Sequence, residues 1–174
     1  KPIYVIAELG IADLMCDSPQ HVDALAEKSG THAPILFRIL RALSSVGVFI
    51  ETEDRVFGLT PLAQCLCSNA LRPIARMFLS EWHDKAWNGL SHTLRTGSPG
   101  FDHAFGKPAF EWFEENPLER SIMDHGQSAK AEGFAKAVID THDFSYVKSI
   151  CDIGGGRGTF LIHLLTDCPD TIGY

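Results

Sequence analysis

The feature that most constrains this chain is the run CDIGGGRGTFLIHLL at residues 151–165, in which four glycines occupy five consecutive positions. A short apolar run precedes the glycines and an apolar helical pattern follows them, so the order is strand, glycine turn, helix. Glycine is needed where a Cβ atom would strike a ligand or where φ is positive. Such a turn brings backbone N–H groups and a helix N-terminus close to a bound molecule. The run therefore predicts a ligand site at residues 154–158.

The residues around the glycines distinguish between possible ligands. A dinucleotide site is typical of G-x-G-x-x-G, whereas here Thr159 stands at the last required position. Asp152 would repel a pyrophosphate but suits a ligand with a cationic amino-acid end. No Gly-Lys-Ser/Thr follows, which excludes a P-loop. The alternative is a glycine turn that only permits tight helix–strand packing. The spacing D-x-G-x-G-x-G favours S-adenosylmethionine, with the cofactor-binding residues Asp152, Gly154, Gly156 and Gly158.

Composition argues against several classes of partner. The 174 residues carry 15 Lys/Arg and 22 Asp/Glu, and this net charge of −7 repels nucleic-acid backbones and anionic lipid surfaces. No apolar run is long enough to span a bilayer and no signal peptide opens the sequence, so we expect a cytoplasmic protein without a membrane partner. The five cysteines lack the spacing of a zinc site, so we expect reduced thiols and no bound metal.

The sequence pattern of residues 1–70 predicts a small helical module. Apolar residues recur at helical spacing in residues 4–15 and 33–46, and Ser18 and Gly30 are typical of the start and end of a helix between them. Two short strands then flank a polar turn in residues 48–60. Three helices followed by a hairpin are the order of a winged-helix module. Its first and third helices carry more apolar surface than the module buries alone, which favours a homodimer.

The remainder of the chain predicts helices and then a change of fold class. The patterns indicate, in order, a long amphipathic segment, a loop, a short helix and a longer helix, over residues 72–97, 98–107, 108–117 and 118–140. Residues 146–174 indicate strand, helix and strand, the opening of a doubly wound parallel sheet. The expected fold class is mainly α with a winged-helix-like N-terminal dimerisation domain, followed by the first βαβ unit of a Rossmann-like α/β domain.

Five segments in one order and spacing carry a resemblance to a known family, and they cover residues 7–15, 31–49, 58–66, 113–117 and 151–161. Together they resemble the S-adenosylmethionine-dependent O-methyltransferases of plants and bacteria that methylate phenolic hydroxyls of small molecules, caffeate-type enzymes among them. The resemblance covers essentially the whole chain. It implies an N-terminal domain that forms an intertwined homodimer and a C-terminal domain that binds S-adenosylmethionine and a small aromatic or polyketide-like acceptor.

The resemblance also implies roles for residues of the helical connector, which we place at residues 71–145. Met123 would line the acceptor pocket, and Ser128 would bond the methionine end of the cofactor. Trp82 and Trp87 are candidate walls for a flat phenolic acceptor. The alternatives are a core methionine, a solvated serine and ordinary core aromatics.

No catalytic residue is assigned within the chain. A phenol has a pKa of about 10 and needs a neighbouring base near neutral pH. The resemblance places a general-base histidine, and an acidic residue for the ribose hydroxyls, beyond Tyr174. His163 is expected to be a packed or surface residue of its helix. The chain starts inside an apolar pattern and stops at the second strand of the cofactor domain, so we expect the N-terminal part of a longer enzyme.

Two other functions remain open at this point. A helix–helix–helix–wing order is also a module of DNA-binding regulators, and Arg38 and Arg41 share one face of the candidate reading helix. Residues 1–70, however, hold five Lys/Arg against eight Asp/Glu, a net charge of −3, where a regulator shows a basic footprint. A truncated pseudoenzyme that keeps only the dimerisation module is the other possibility.

Overall fold

The computed structural model describes residues 1–174, which divide into two compact units, residues 1–109 and 110–174. The first unit contains the helices α1 (Pro2–Glu8), α2 (Val22–Ser29), α3 (Ala33–Ser45), α4 (Pro61–Gln64), α5 (Arg72–Phe78), α6 (Glu81–Asn88), α7 (Leu90–Thr96) and α8 (Gly100–Phe105), and one turn of 3-10 helix (Asp13–Met15). Its strands are β1 (Gln20–His21), β2 (Phe49–Glu53) and β3 (Val56–Leu59). Helix α9 (Ala109–Glu115) begins at the boundary, and the second unit continues with α10 (Pro117–Thr141), β4 (Ser149–Ile150), α11 (Thr159–Asp167) and β5 (Ile172–Gly173).

The first unit is organised around an antiparallel three-stranded sheet in the order β1-β3-β2. Strands β2 and β3 form the predicted hairpin, which turns at Arg55 with a positive φ of 60°. The predicted α3 is also confirmed, and Gly30 and Gly47 follow α2 and α3 in the left-handed conformation. Helices and sheet enclose one apolar core, whose largest fully buried hydrophobic side chains are Ile6, Ile11, Val22, Leu25, Leu40, Phe49 and Phe57.

Two expectations for the start of the chain are wrong. The helix predicted over residues 4–15 ends early, because Gly10 adopts a φ of +65° and turns the chain out of the helix. The second helix begins at Val22 and not after a cap at Ser18, because residues 20–21 pair with β3 as an additional strand. Tertiary pairing thus overrides a sound local start signal.

The long amphipathic segment predicted over residues 72–97 consists of three helices, and the loop predicted over residues 98–107 contains α8. The first break lies at Ser80, a fully buried residue whose hydroxyl donates to the Met77 carbonyl (2.8 Å) and caps α6. The second break lies at Gly89. A Cβ atom there would lie 2.8 Å from the carbonyl oxygen of Gly100, so the start of α7 and the start of α8 touch through bare backbone.

The second unit confirms the predicted strand, helix and strand. Strands β4 and β5 are parallel, Ser149 lies opposite Ile172, and α11 connects them. Helix α10 runs unbroken for 25 residues through Gly126 and Gly133. Leu164 of α11 is fully buried. None of the helices combines the length and apolar character needed to cross a bilayer.

The core of the first unit makes a direct prediction. Leu40 is completely buried on α3, so Leu40→Ala should lower the free energy of unfolding by about 2–5 kcal/mol through lost burial and a residual cavity. Arg38→Ala on the exposed face of the same helix is the matched control and should change it by less than about 0.5 kcal/mol. Urea denaturation followed by circular dichroism measures both. Equal effects would contradict the assigned helix orientation.

Candidate functional site

The glycine run forms two consecutive tight turns between β4 and α11. The backbone N–H of Gly155 donates to the carbonyl of Asp152 (3.2 Å), and that of Gly158 donates to the carbonyl of Gly155 (2.9 Å). The N–H of Asp152 in turn donates to the carbonyl of Tyr174 (2.9 Å), which ties the strand end to the neighbouring strand. The turns leave the first N–H groups of α11 without helical partners, as at every helix start.

Alternate glycines of the run have left-handed backbone. Gly154, Gly156 and Gly158 have φ values of +78°, +59° and +73°, and a Cβ atom at any of them would meet no other atom within 4 Å. Conformation, not crowding within the chain, therefore requires glycine at these three positions. Gly155 differs, because a Cβ atom there would lie 2.5 Å from the carboxyl carbon of Asp152. The carboxylate therefore lies across the bare backbone of Gly155.

A cavity of about 540 Å³ opens beside these turns, within the second unit. Five of the residues singled out from the sequence line it, namely Met123, Ser128, Asp152, Gly154 and Gly156. Gly158 is not among the lining residues and instead serves as the N-cap of α11. The apolar part of the lining comes mainly from Phe110, Met123, Ala131 and Phe160.

The cavity carries charges of both signs. On α10, Arg120 binds Asp124 through Nε, at 3.0 and 3.2 Å from the two carboxylate oxygens. On the glycine turn, the half-buried Asp152 and the exposed Arg157 add one charge each. Two acidic and two basic groups thus surround a space with apolar walls. A zwitterionic ligand with an apolar or aromatic part fits this combination better than a phosphate ester does.

Sequence reasoning missed part of this lining. Arg120, Asp124 and Gln127 lie three or four residues apart on α10, the spacing that places side chains on one helix face together with Met123. This spacing of polar residues is the sequence pattern that could have predicted a shared helix face at the site. Arg157 lies between Gly156 and Gly158, in a run whose glycines indicate a role for the backbone but give no signal for a side chain.

Two histidines of the second unit, His125 and His163, lie outside this cavity. The Nδ1 atom of His125 lies 2.7 Å from the carbonyl oxygen of Ser121, one turn earlier on the same helix. His163 is exposed on α11 and lies beside Glu132 and Lys136 of α10. Neither side chain lines the cavity beside the glycine turns.

Trp82 and Trp87 lie on α6 in the first unit, where they surround His83. The ring centroids of Trp82 and Trp87 are 5.5 and 6.2 Å from that of His83, and the Trp87 indole donates to His83 Nε2 (3.4 Å). Burial lowers the pKa of His83 below its ordinary value, because the charged form is penalised. Trp87 also lines a second cavity of about 200 Å³ with Leu90 and Phe101.

The glycine turns make a prediction that needs no ligand. Gly158→Val should lower the free energy of unfolding by at least about 1–2 kcal/mol, because a β-branched residue is strained at a φ of +73°. Gly158→Asn should cost less, since asparagine tolerates this region. Gly133→Ala, in open space on α10, should instead raise stability by up to about 1 kcal/mol. Chemical denaturation measures all three, and equal costs for Val and Asn would contradict the left-handed cap.

Two family profiles match the chain. The profile of the O-methyltransferase dimerisation domain covers residues 1–69, and the profile of the O-methyltransferase domain covers residues 87–172. Matches among characterised proteins include O-methyltransferases from both bacteria and plants. The resemblance inferred from the sequence is thereby confirmed.

Individual relatives agree with these profiles. Phenazine O-methyltransferase PhzM from Lysobacter antibioticus is 40% identical over 99% of this chain and 51% of its own length. The crystal structure of LaPhzM superposes with a TM-score of 0.91 at 39% identity, over 99% of this chain and 52% of that one.

A third match was solved with ligands. The O-methyltransferase NcsB1 from neocarzinostatin biosynthesis, in complex with S-adenosyl-L-homocysteine and 1,4-dihydroxy-2-naphthoic acid, has a TM-score of 0.74 at 28% identity, over 99% of this chain and 54% of that one. This chain thus spans about half the length of the relatives it matches. Its sequence, its fold and its glycine turn place it in the family of O-methyltransferases that join a dimerisation domain to a methyltransferase domain.

Proposed function

We propose that the protein to which this chain belongs transfers a methyl group from S-adenosylmethionine to a hydroxyl of a small aromatic or polyketide-like acceptor. The observation that carries this proposal is the carboxylate of Asp152 beside left-handed glycines, in the lining of a cavity with both charges and apolar walls. Membership of the O-methyltransferase family supports the reaction class. Phenazine and naphthoate compounds in the names of relatives support a flat aromatic acceptor.

The residues of the cavity fit the proposed cofactor. S-adenosylmethionine carries an ammonium and a carboxylate at its methionine end, and no phosphate. We assign the ammonium to Asp152 and Ser128, and the carboxylate to Arg157, the exposed guanidinium on the same turn. Gly154 and Gly156 present bare backbone where a side chain would narrow the approach. A pyrophosphate, by contrast, would face the carboxylate of Asp152.

The cofactor, when bound, supplies a methyl group on a positively charged sulfur. The residues of this chain bind and orient the reactants, since a transfer of this kind depends on in-line geometry and exclusion of water. Met123, with Phe110 and Phe160, gives the acceptor side of the cavity its apolar walls. No residue of this chain is assigned as the base that removes the acceptor proton.

Trp82 and Trp87 remain proposed acceptor residues of the first unit. Trp87 is largely exposed, at 61%, on a helix that otherwise packs against α8, so its indole is available to a ligand. For the domain limits we propose dimerisation, connector and cofactor regions at residues 1–70, 71–145 and 146–174.

The dimerisation profile and the exposed apolar side chains of the first unit support a homodimer through residues 1–70. These exposed apolar side chains lie on α1, α3 and α4 or directly after α1 and α3, namely Val5, Leu9, Ile35, Val46 and Leu62. We propose that the three helices and hairpin are a winged-helix variant used for pairing. The DNA-binding alternative finds no support, because Arg41 shares its surface depression with Glu51, Glu53 and Asp54.

The cofactor assignment is tested by the affinity for S-adenosylhomocysteine in the full-length protein. Asp152→Asn should weaken binding about 10-fold or more, the cost of losing one charge-assisted hydrogen bond. Binding of 5′-methylthioadenosine, which lacks the amino-acid end, should change little. Asp167→Asn, at the far end of α11, is the matched control and should leave both affinities unchanged. Isothermal calorimetry gives all the constants, and unchanged binding by Asp152→Asn would overturn the assignment.

The dimer is tested separately by light scattering on the full-length protein. We expect twice the monomer mass at micromolar concentration, with little dissociation on dilution, because the exposed apolar surface of residues 1–70 needs a partner. A gel-shift assay at low salt is the companion measurement. A stable monomer, or a DNA complex that survives moderate salt, would favour the regulator instead.

A further inference from the structure

Two cysteines far apart in sequence meet in the first unit, whereas the site described above lies within the second unit. Cys16 follows the 3-10 turn and Cys67 follows α4, and their sulfur atoms lie 3.4 Å apart. We propose that Cys16 and Cys67 are a reversible dithiol–disulfide pair, which a peroxide oxidises to the disulfide. This inference is independent of the proposed function, and it goes beyond the reduced thiols expected from the sequence.

The surroundings favour a disulfide over a metal site. Asp13 is the nearest further group with a ligand atom, within 4.8 Å of both sulfurs. Both of its oxygens are already engaged, since Oδ1 accepts from the Ser68 N–H (2.8 Å) and Oδ2 from Nη1 of Arg72 (2.5 Å). Two thiols then remain, fewer than the three or four protein ligands of an ordinary zinc site.

The two segments are already joined by other bonds. Besides its contact with Asp13, Arg72 donates through Nε to the carbonyl of Ala7 (2.6 Å). These bonds link the chain that precedes Cys16 to the chain that follows Cys67. The thiols are therefore presented to each other by a fixed framework, and closing the disulfide asks mainly for side-chain movement.

The two thiols differ in a way that sets the order of events. Cys16 is exposed and Cys67 is buried, so an oxidant meets Cys16 first. The Cys16 sulfur attacks a peroxide oxygen, the O–O bond breaks, and a sulfenic acid and one molecule of water form. The Cys67 sulfur then attacks the Cys16 sulfur, the S–O bond breaks, and a second water leaves with the remaining thiol proton. The pair loses two electrons and the peroxide gains them.

The pH dependence of the second step follows from the environment of Cys67. Burial first, and then the hydrogen bond and charge of Cys16, raise the pKa of the Cys67 thiol to about 11. The Cys67 thiolate is the attacking species, so the disulfide should form faster as the pH rises toward that pKa. The opposite charge on Arg72 and the like charge on Asp13 both act on this thiol, and their effects oppose each other.

The disulfide would connect residues 51 positions apart and so restrict the unfolded chain strongly. The experiment uses the full-length protein, treated with hydrogen peroxide or with dithiothreitol. We expect a Cys16–Cys67 peptide pair in non-reducing mass spectrometry, reversed by dithiothreitol. We also expect the oxidised protein to melt about 5 °C or more above the reduced one.

Variants separate this pair from the other cysteines. Cys16→Ser and Cys67→Ser should abolish the peroxide-induced shift in melting temperature, whereas Cys65→Ser, two positions away, should retain it. Peptide mapping of the unmutated protein needs no variant to fold. Oxidation of Cys16 with Cys67 left as a free thiol, or a Cys16–Cys16 link between chains, would overturn the proposal. So would protection of both thiols from alkylation by micromolar Zn²⁺, which would indicate a metal site instead.

Discussion

The conformation of the turn between β4 and α11 is the constraint on which the rest of the site depends. Three left-handed glycines let the chain reverse twice within seven residues, from Asp152 to Gly158, and deliver a helix start beside a strand end. The same turns lay the Asp152 carboxylate over Gly155. Any larger residue at position 155 would displace that carboxylate, so backbone freedom and side-chain placement depend on each other here.

Local signals predicted those parts of the fold that depend on near neighbours. The α3 stripe, the hairpin around Arg55 and the glycine turn all follow from residues within one turn or strand of each other. The errors at Ser18 and at Gly89 arose because strand β1 and helix α8 depend on partners about 37 and 11 positions away. Contacts of that kind leave little mark on a single sequence.

The candidate site likewise contains residues that the sequence predicted and residues that it did not. Asp152 and the glycines were predicted because their spacing along one segment carries the chemistry, while the ion pair of Arg120 and Asp124 was missed because charged helix faces are common. Met123 and Ser128 were predicted as site residues from a family resemblance, and both line the same cavity in the structure. Their roles there remain proposals, as does that of Arg157.

The contact between Gly89 and Gly100 sets the spacing of the helices around Trp87. A methyl group on Gly89 would strike the backbone of Gly100, and one on Gly100 would strike the carbonyl oxygen of Ala86 and approach the backbone of Gly89. The two glycines thus act as one spacer shared by two helices, and the corner they form has no room to absorb even one carbon atom. The close packing at this corner depends on the absence of side chains at two positions, whereas most protein cores are packed by large side chains.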